Sequence, residues 1–462
     1  MGLGYMLLAV KSEQDKYLVG NPQFTFFKGA YKRHTHFALD QVFVPFVGET
    51  YNAYNKKLYV DIPKSGDLLH RMYLVLDIEN NTSQTDISNV NLFGYSFIEY
   101  VDIIIDGQLI DRHYSDWLML YLELMQDKRK ELATGLMTGI HSSTDNKKTL
   151  FLPLRFWFNN DIGLSLPLIA LQYSTVRIEV KLNDKSVPTT YVSNLTTTAN
   201  SITNTNLSLN RMQMLCEYIH LDKDERVLFS SKQLEYMITQ VQSSLNNPIQ
   251  LYTSSMTNEK YEDLTHRFDL RFNHPVKSIF WGIKDNYVDL SSVNLSNNLY
   301  DNTTGILYYN YWRNANYLRE QMKECNIVMN GKDVTEPLQP QYFRFVQDYQ
   351  HHLNSSLLNV YNSNKTSNNA PNYKSNIYPV GMGFYNYNFA FNPSETQPSG
   401  SVNFSKLEQA QLKIKLYRDK DNFTYSTTTL TSNLTAKYIN IYALSINVLR
   451  IMSGKAGLAF AT

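Results

Sequence analysis

A chain of 462 residues with 43 Lys plus Arg against 42 Asp plus Glu, a formal net charge of +1, lacks the basic excess with which a protein neutralises a nucleic-acid backbone. An aromatic share of 13%, with 34 Tyr and 23 Phe, suits half-buried pleated surfaces better than helices and favours an all-β class, and the length admits two or three domains. The two cysteines, Cys216 and Cys325, suggest neither a disulfide framework nor a Cys-based metal site and fit a reducing compartment.

The first ten residues, Met1 to Val10, are apolar but lack a basic leader and run directly into Lys11 and Glu13, so they do not read as a signal peptide. No run approaches the ~18 apolar residues that span a bilayer. The segment reads as a frayed terminus or as an arm that docks beneath a larger assembly. Gly20 to Pro22 marks a turn that opens into the run Asn21-Pro-Gln-Phe-Thr-Phe-Phe-Lys-Gly-Ala-Tyr-Lys-Arg-His-Thr-His-Phe37. Inside this run His34 and His36 would share one face of a strand and, with Asp40, nearly resemble the metal motif of cupins. The spacing to Gly29 and Gly48 is wrong, Asp40 stands where a glutamate belongs and no second motif follows, so no metal is expected.

Met72, Leu74, Leu76 and Ile78 alternate with Tyr73, Val75, Asp77 and Glu79, the period of a strand packed on one face. Val101 to Ile110 carries Asp106-Gly107 at its centre and predicts a hairpin, because those residue types accept the positive φ of a two-residue primed turn. The turn claims Asp106, and Asp102 is expected on the solvent face, which leaves no carboxylate pair for glycoside hydrolysis. Further on, Ser115 to Leu132 predicts one helix packed beside a sheet, with Ser115 or Asp116 as its cap, an apolar run from Trp117 to Met125 and a solvated basic triplet, Lys128 to Lys130. Phe156-Trp-Phe158 and Gly163 to Tyr173 follow. Asn/Ser/Thr-rich stretches at 193–210, 291–304, 354–371 and 421–435 are too polar for core and are expected as loops, either an outward crown or ordinary solvated connections.

Cys325 to Val334 repeats the hairpin signal with Asn330-Gly331, and the neighbouring segments recur in the same order. Pro167 to Leu182 corresponds to Pro398 to Leu416, and Glu217 to Leu221 corresponds to Lys437 to Ile441, as two copies of one sandwich would require. Asp222 to Phe229 reads as a helical connector, and Leu234 to Val241 opens the second copy. No Gly-x-Ser-x-Gly elbow is present. Neither Gly331-Lys332 nor Gly454-Lys455 belongs to a phosphate-binding loop, and Gly381-Met-Gly383 lacks the third glycine of a dinucleotide fingerprint.

The run Asn21 to Phe37, the two blocks at 156–173, the block Pro398-Ser-Gly-Ser-Val-Asn-Phe-Ser405 and the ending Ile446 to Phe460 together resemble the major capsid proteins of nucleocytoplasmic large DNA viruses. That family most often shows Asn where this chain has His36. The resemblance implies an all-β double jelly roll: two tandem eight-stranded sandwiches with a few short helices, divided as an arm at 1–24, a first roll at 25–222 and a second at 223–462. It further implies a structural protein without catalysis or cofactor, which forms homotrimers of pseudo-hexagonal outline and tiles an icosahedral shell in the virion. Its expected partners are neighbouring capsomers, minor capsid and vertex proteins and an internal membrane, with no direct nucleic acid; assembly is expected in the cytoplasm of a eukaryotic host. Motif residues expected to serve assembly are Asn21, Pro22, Phe24, Phe26, Phe27, Lys28, Tyr31, Arg33, His34, Thr35, Phe37, Trp157, Pro398, Ser399, Gly400, Asn403 and Phe404. The alternative is a jelly-roll carbohydrate- or receptor-binding spike or a minor capsid protein, since aromatic-rich loops can stack on sugars and fold alone does not settle function.

Overall fold

Strands form where the sequence alternates, and hairpins close at Asp106-Gly107 and Asn330-Gly331, where a positive φ is accepted. In the computed structural model the described residues are 3–80, 93–127, 130–139, 147–185, 207–249, 264–285, 322–352, 384–416 and 437–460. The chain divides into two units, Met1–Phe37 and Ala38–Thr462.

In the first unit, helices Leu3–Ala9 and Asp15–Val19 precede a turn at Gly20. Asn21 takes a left-handed φ of 49°, as the Gly-Asn-Pro signal implies. No strand or helix includes His34 or His36, contrary to the alternating-strand expectation; His34 Nδ1 instead lies 2.8 Å from the carbonyl of Thr35.

The second unit holds two sandwiches of the same wiring. The first comprises β1 (Phe37–Pro45), β2 (Lys57–Asp61), β3 (Leu68–Asn80), β4 (Ile98–Ile105), β5 (Gln108–Tyr114), β6 (Lys147–Pro153), β7 (Leu166–Pro167), β8 (Val176–Leu182) and β9 (Leu207–Leu221). The second comprises β10 (Leu234–Ile249), β11 (Thr265–Asp269), β12 (Pro275–Asp285), β13 (Met322–Met329), β14 (Lys332–Asp333), β15 (Phe384–Asn388), β16 (Val402–Asn403), β17 (Ala410–Leu416), β18 (Lys437–Met452) and β19 (Lys455–Leu458). The sheets run β1-β9-β3-β6 and β2-β8-β4-β5 in one half, β10-β18-β12-β15 and β11-β17-β13-β14 in the other. With the short β7 and β16 set aside, both halves are eight-stranded jelly rolls of identical strand order. Even those short strands correspond, since β7 pairs with the start of β3 and β16 with the start of β12. Among the strands of the described residues only β19, which folds back on β18, lacks a counterpart. Between the rolls runs the helix Lys223–Ser231, whose cap Asp222 accepts from the Lys223 amide.

Both expected hairpins are present: φ is 52° and 80° at Asp106 and Gly107, 49° and 75° at Asn330 and Gly331. Met72, Leu74, Leu76 and Ile78 are all buried on β3. In the second roll the core centres on Trp281, with Phe343 at 5.4 Å edge-on and Tyr385 stacked at 6.0 Å.

Other expectations need correction. The helix predicted over 115–132 is two, Ser115–Leu124 and Glu131–Thr138, because Gln126 leaves the helix to bond the Thr134 hydroxyl at 2.7 Å and Arg155 at 3.2 Å. Residue 114, not Ser115 or Asp116, takes the cap position. Lys128 and Arg129 lie outside the described residues. Leu207 to Asn210, expected in a polar loop, begin β9; residues 193–206 and the loop stretches at 291–304, 354–371 and 421–435 lie outside the described residues, as do Gly381 to Gly383. Asp102 is buried rather than solvated, since Arg112 covers it with bidentate bonds of 2.7 and 2.6 Å and itself lies over the Tyr100 ring.

The proposed repeat is right in its strands and shifted in its residues. Register places Ile219 opposite Leu68 at the start of β3, and Ser445 opposite Val276 at the start of β12. Glu217 to Leu221 therefore matches the middle of β18, not its beginning at Lys437 to Ile441. Likewise Pro167 pairs with Leu68 as Asn403 pairs with Pro275, so Asn403 and not Pro398 is its counterpart. Apolar alternation repeats every two residues, so sequence similarity alone slides along a long strand without penalty.

Candidate functional site at the seam between the two jelly rolls

An aromatic bolt and a set of satisfied polar groups join the two rolls. Trp117, in the helix that follows β5, is 1% exposed and meets Phe280 of β12 edge-on at 5.5 Å and Tyr442 of β18 at 5.9 Å. Its apolar helix thus packs between the rolls rather than beside one. Around it, Asp116 accepts from Asn440 Nδ2 at 2.9 Å, and Asp111 accepts from the Val241 amide at 3.0 Å. The Gln240 amide donates to the Ile110 carbonyl, and its oxygen accepts from Asn447 Nδ2 at 2.8 Å. The side chains of Asp111, Asp116, Gln240, Asn440 and Asn447 are buried; left unpaired, each would cost about 1–3 kcal/mol, so the pairs fix one relative placement of the rolls.

A second contact uses the C-terminal hairpin. The turn between β18 and β19 contains Ser453 at φ 51° and Gly454 at φ 79°. The Tyr173 amide donates to the Gly454 carbonyl at 3.0 Å, and a Cβ on Gly454 would stand 2.6 Å from the Tyr173 ring. Asp106, in the first hairpin turn, accepts from the Ser174 hydroxyl at 2.5 Å and the Thr175 amide at 3.0 Å, which aligns this surface. The ending Ile446 to Phe460 is thereby a clasp on the first roll.

The motif residues differ in their immediate surroundings. Asn21, Pro22, Phe24, Phe26, Phe27, Lys28, Tyr31, Arg33, His34, Thr35 and Phe37 are all exposed, with Phe26 at 88% and Phe27 at 97%. Phe24 and Phe26 meet edge-on at 5.0 Å. Trp157 is buried on the short helix Trp157–Asn160, which Asn159 anchors by accepting the Phe156 amide and donating to the His70 carbonyl. It lines the seam cavity together with Trp117. In the second roll, the Phe391 amide bonds the Ser399 carbonyl and the Asn392 amide its hydroxyl, so Pro398-Ser-Gly is the sharp turn that its composition implies. Gly400 sits at φ 131°, with the Phe389 carbonyl 2.9 Å from where a Cβ would be. Asn403 caps the turn over Phe404, which is buried against Phe272 and Phe389.

Trp117, Asp111, Asp116, Gln240 and Asn440 were not anticipated as functional. Only Trp117 carried a signal, as a large aromatic at the start of an apolar helix; the others are polar residues whose partners are distant in sequence.

Cys216 and Cys325 are free and buried, and burial pushes the Cys216 thiol up to about 12, which suits packing and not nucleophilic chemistry. Among the described residues no cluster of His, Cys, Asp or Glu is arranged to hold a metal, and no helix is long and apolar enough to cross a membrane.

Two jelly rolls in tandem, locked by a buried seam, define a double jelly-roll protein. The family described as major capsid protein N-terminus matches residues 25–222, and that described as large eukaryotic DNA virus major capsid protein matches 225–362 and 367–457. The chain belongs to the major capsid proteins of large eukaryotic DNA viruses. It is 32% identical to the major capsid protein of Pyramimonas orientalis virus, across 100% of both chains. It is 30% identical to that of Paramecium bursaria Chlorella virus 1, again across 100% of both. A chain of the PBCV-1 virus capsid superposes with a TM-score of 0.72 at 26% identity, over 95% of this chain and 100% of that one. The Faustovirus major capsid protein shares the fold, with a TM-score of 0.61 at 11% identity, over 96% of this chain and 94% of that one.

Proposed function

We propose that three copies of this chain close about a threefold axis into a capsomer of pseudo-hexagonal outline, and that such capsomers tile an icosahedral shell. The observation that carries this reading is the pair of identically wired rolls held at one angle by the Trp117 seam. Six similar wedges then surround a threefold axis, and a ring of three becomes a six-sided tile. The contacts around the ring are heterologous, one patch against a different one, and closure at three copies prevents open-ended growth. Support comes from apolar side chains that the single chain leaves exposed: Leu39 and Phe43 on the edge strand β1, with Phe24, Phe26, Phe27 and Tyr31 in the preceding run.

In this reading residues 25–222 and 223–462 are the two rolls, 1–24 is an arm, and the motif residues of the run serve contacts between chains. The partners are neighbouring capsomers, minor capsid and vertex proteins and an internal membrane; a net charge of +1 suits a shell that does not coat nucleic acid directly. The protein acts in the virion, is assembled in the host cytoplasm and has no catalytic role. Light scattering of the purified protein is expected to give three times the 53.6 kDa chain mass, and electron microscopy a hexagonal outline. A stable monomer that binds glycans on an array would support a receptor-binding spike instead.

A further inference from the structure

A cavity of about 50 Å³ lies in the seam, lined from the first roll by Arg155, Trp157 and His113 and from the second by Lys277 and the 393–396 loop. That volume holds a few waters or one small anion. Lys277, on β12, is 1% exposed, although a lysine is almost never fully buried unless paired. Its ammonium donates to the backbone carbonyl of Glu395 at 2.7 Å, and among the described residues no carboxylate lies within ion-pair reach of it. Arg155 reaches the Gln126 side chain with one nitrogen and lies over the Tyr121 ring, while its buried Nε has no partner. His113 bonds Asp111 through Nε2, and its buried Nδ1 is also unpartnered. Two cations from opposite rolls thus face one small cavity, and the Glu395 side chain beside it is exposed. Burying such charges without a counter-charge is costly.

We propose that this cavity is a binding site for a small oxyanion, a phosphate or a carboxylate, held jointly by Lys277 and Arg155. Arginine supplies a planar fork matched to two oxygens, and lysine a point charge from the other side. The bound anion then ties the rolls together at the seam in addition to the contacts of Trp117. Burial draws the Lys277 amine down to about 8, and the charge of the exposed Glu395 carboxylate only partly opposes it.

The test is titration of the full-length protein, prepared in chloride buffer, with inorganic phosphate and separately with acetate at constant ionic strength, read by calorimetry and by Tm. One saturable site per chain is expected for at least one of the two, with a rise in Tm. Lys277→Met is expected to raise Tm in anion-free buffer and to abolish the response, and Arg155→Gln to weaken binding at least tenfold. No saturable site with either anion, or an undiminished response in Lys277→Met, would overturn the proposal. Should Lys277→Met fail to fold, a density map of the wild-type protein in the saturating anion decides: a tetrahedral or planar feature between Lys277 and Arg155 supports the site, and an empty or water-filled cavity refutes it.

Discussion

The seam and the N-terminal run are both aromatic-rich, yet the chain treats them in opposite ways. Trp117 is 1% exposed, enclosed by Phe280 and Tyr442, whereas Phe26 and Phe27 are 88% and 97% exposed. The seam is finished within one polypeptide, so in the proposed function its residues set the shape of the tile. The run presents apolar rings that a single chain leaves in water, so in the proposed function its residues serve the contacts between chains. Mutations in the two regions should accordingly separate stability from assembly.

The largest effect is expected from Trp117→Ala, which removes the central ring of the seam and should cost about 3–5 kcal/mol. In a thermal scan the loss should split one cooperative transition into two, as each roll unfolds separately; a single unshifted transition would show that the rolls are held elsewhere. Acid sharpens the comparison next. Burial, reinforced by the neighbouring charge of His351, holds the His352 imidazole down from 6.5 to about 4. The unfolded chain therefore binds a proton that the folded chain refuses, so stability falls as pH drops from 6.5 to about 4 and levels off below that, by at most about 3 kcal/mol. His352→Gln should make this slope shallower in pH-dependent denaturation, leaving the part that His266 and His274, also lowered by burial, contribute.

A smaller loss is expected at the clasp. Gly454→Ala places a Cβ against Tyr173 at a positive φ and should cost about 1–3 kcal/mol. Tyr173→Ala in the same chain should recover only the steric part, as measured by a double-mutant cycle. Phe26→Asp should change the stability of the isolated chain least, within about 0.5 kcal/mol, because the ring is exposed. It should nonetheless prevent trimers in light scattering, since an unpaired charge would enter an apolar contact. A stable Phe26→Asp trimer would place the run outside the assembly contacts.

The hairpins at Asp106-Gly107 and Asn330-Gly331, the packed face of β3 and the duplication were legible because each rests on local chemistry: a positive φ that few residues accept, or a period that only a strand satisfies. Asp102 was not legible, since its neutralising partner Arg112 faces it across the hairpin and a lone aspartate among isoleucines reads as solvent-facing. The break after Leu124 was hidden for a similar reason, because Gln126 leaves the helix to satisfy Thr134 and Arg155.

What the sequence determined by itself is the family, the all-β class and the existence of two copies, because motifs, periodicity and turn chemistry are written in consecutive residues. Only the tertiary structure decided the register of the repeat, the burial of Asp102 and the composition of the seam. Those depend on partners such as Asp116 and Asn440, far apart in the chain and brought within 2.9 Å by folding. Burial and pairing are properties of surroundings, and a linear string does not state its own surroundings.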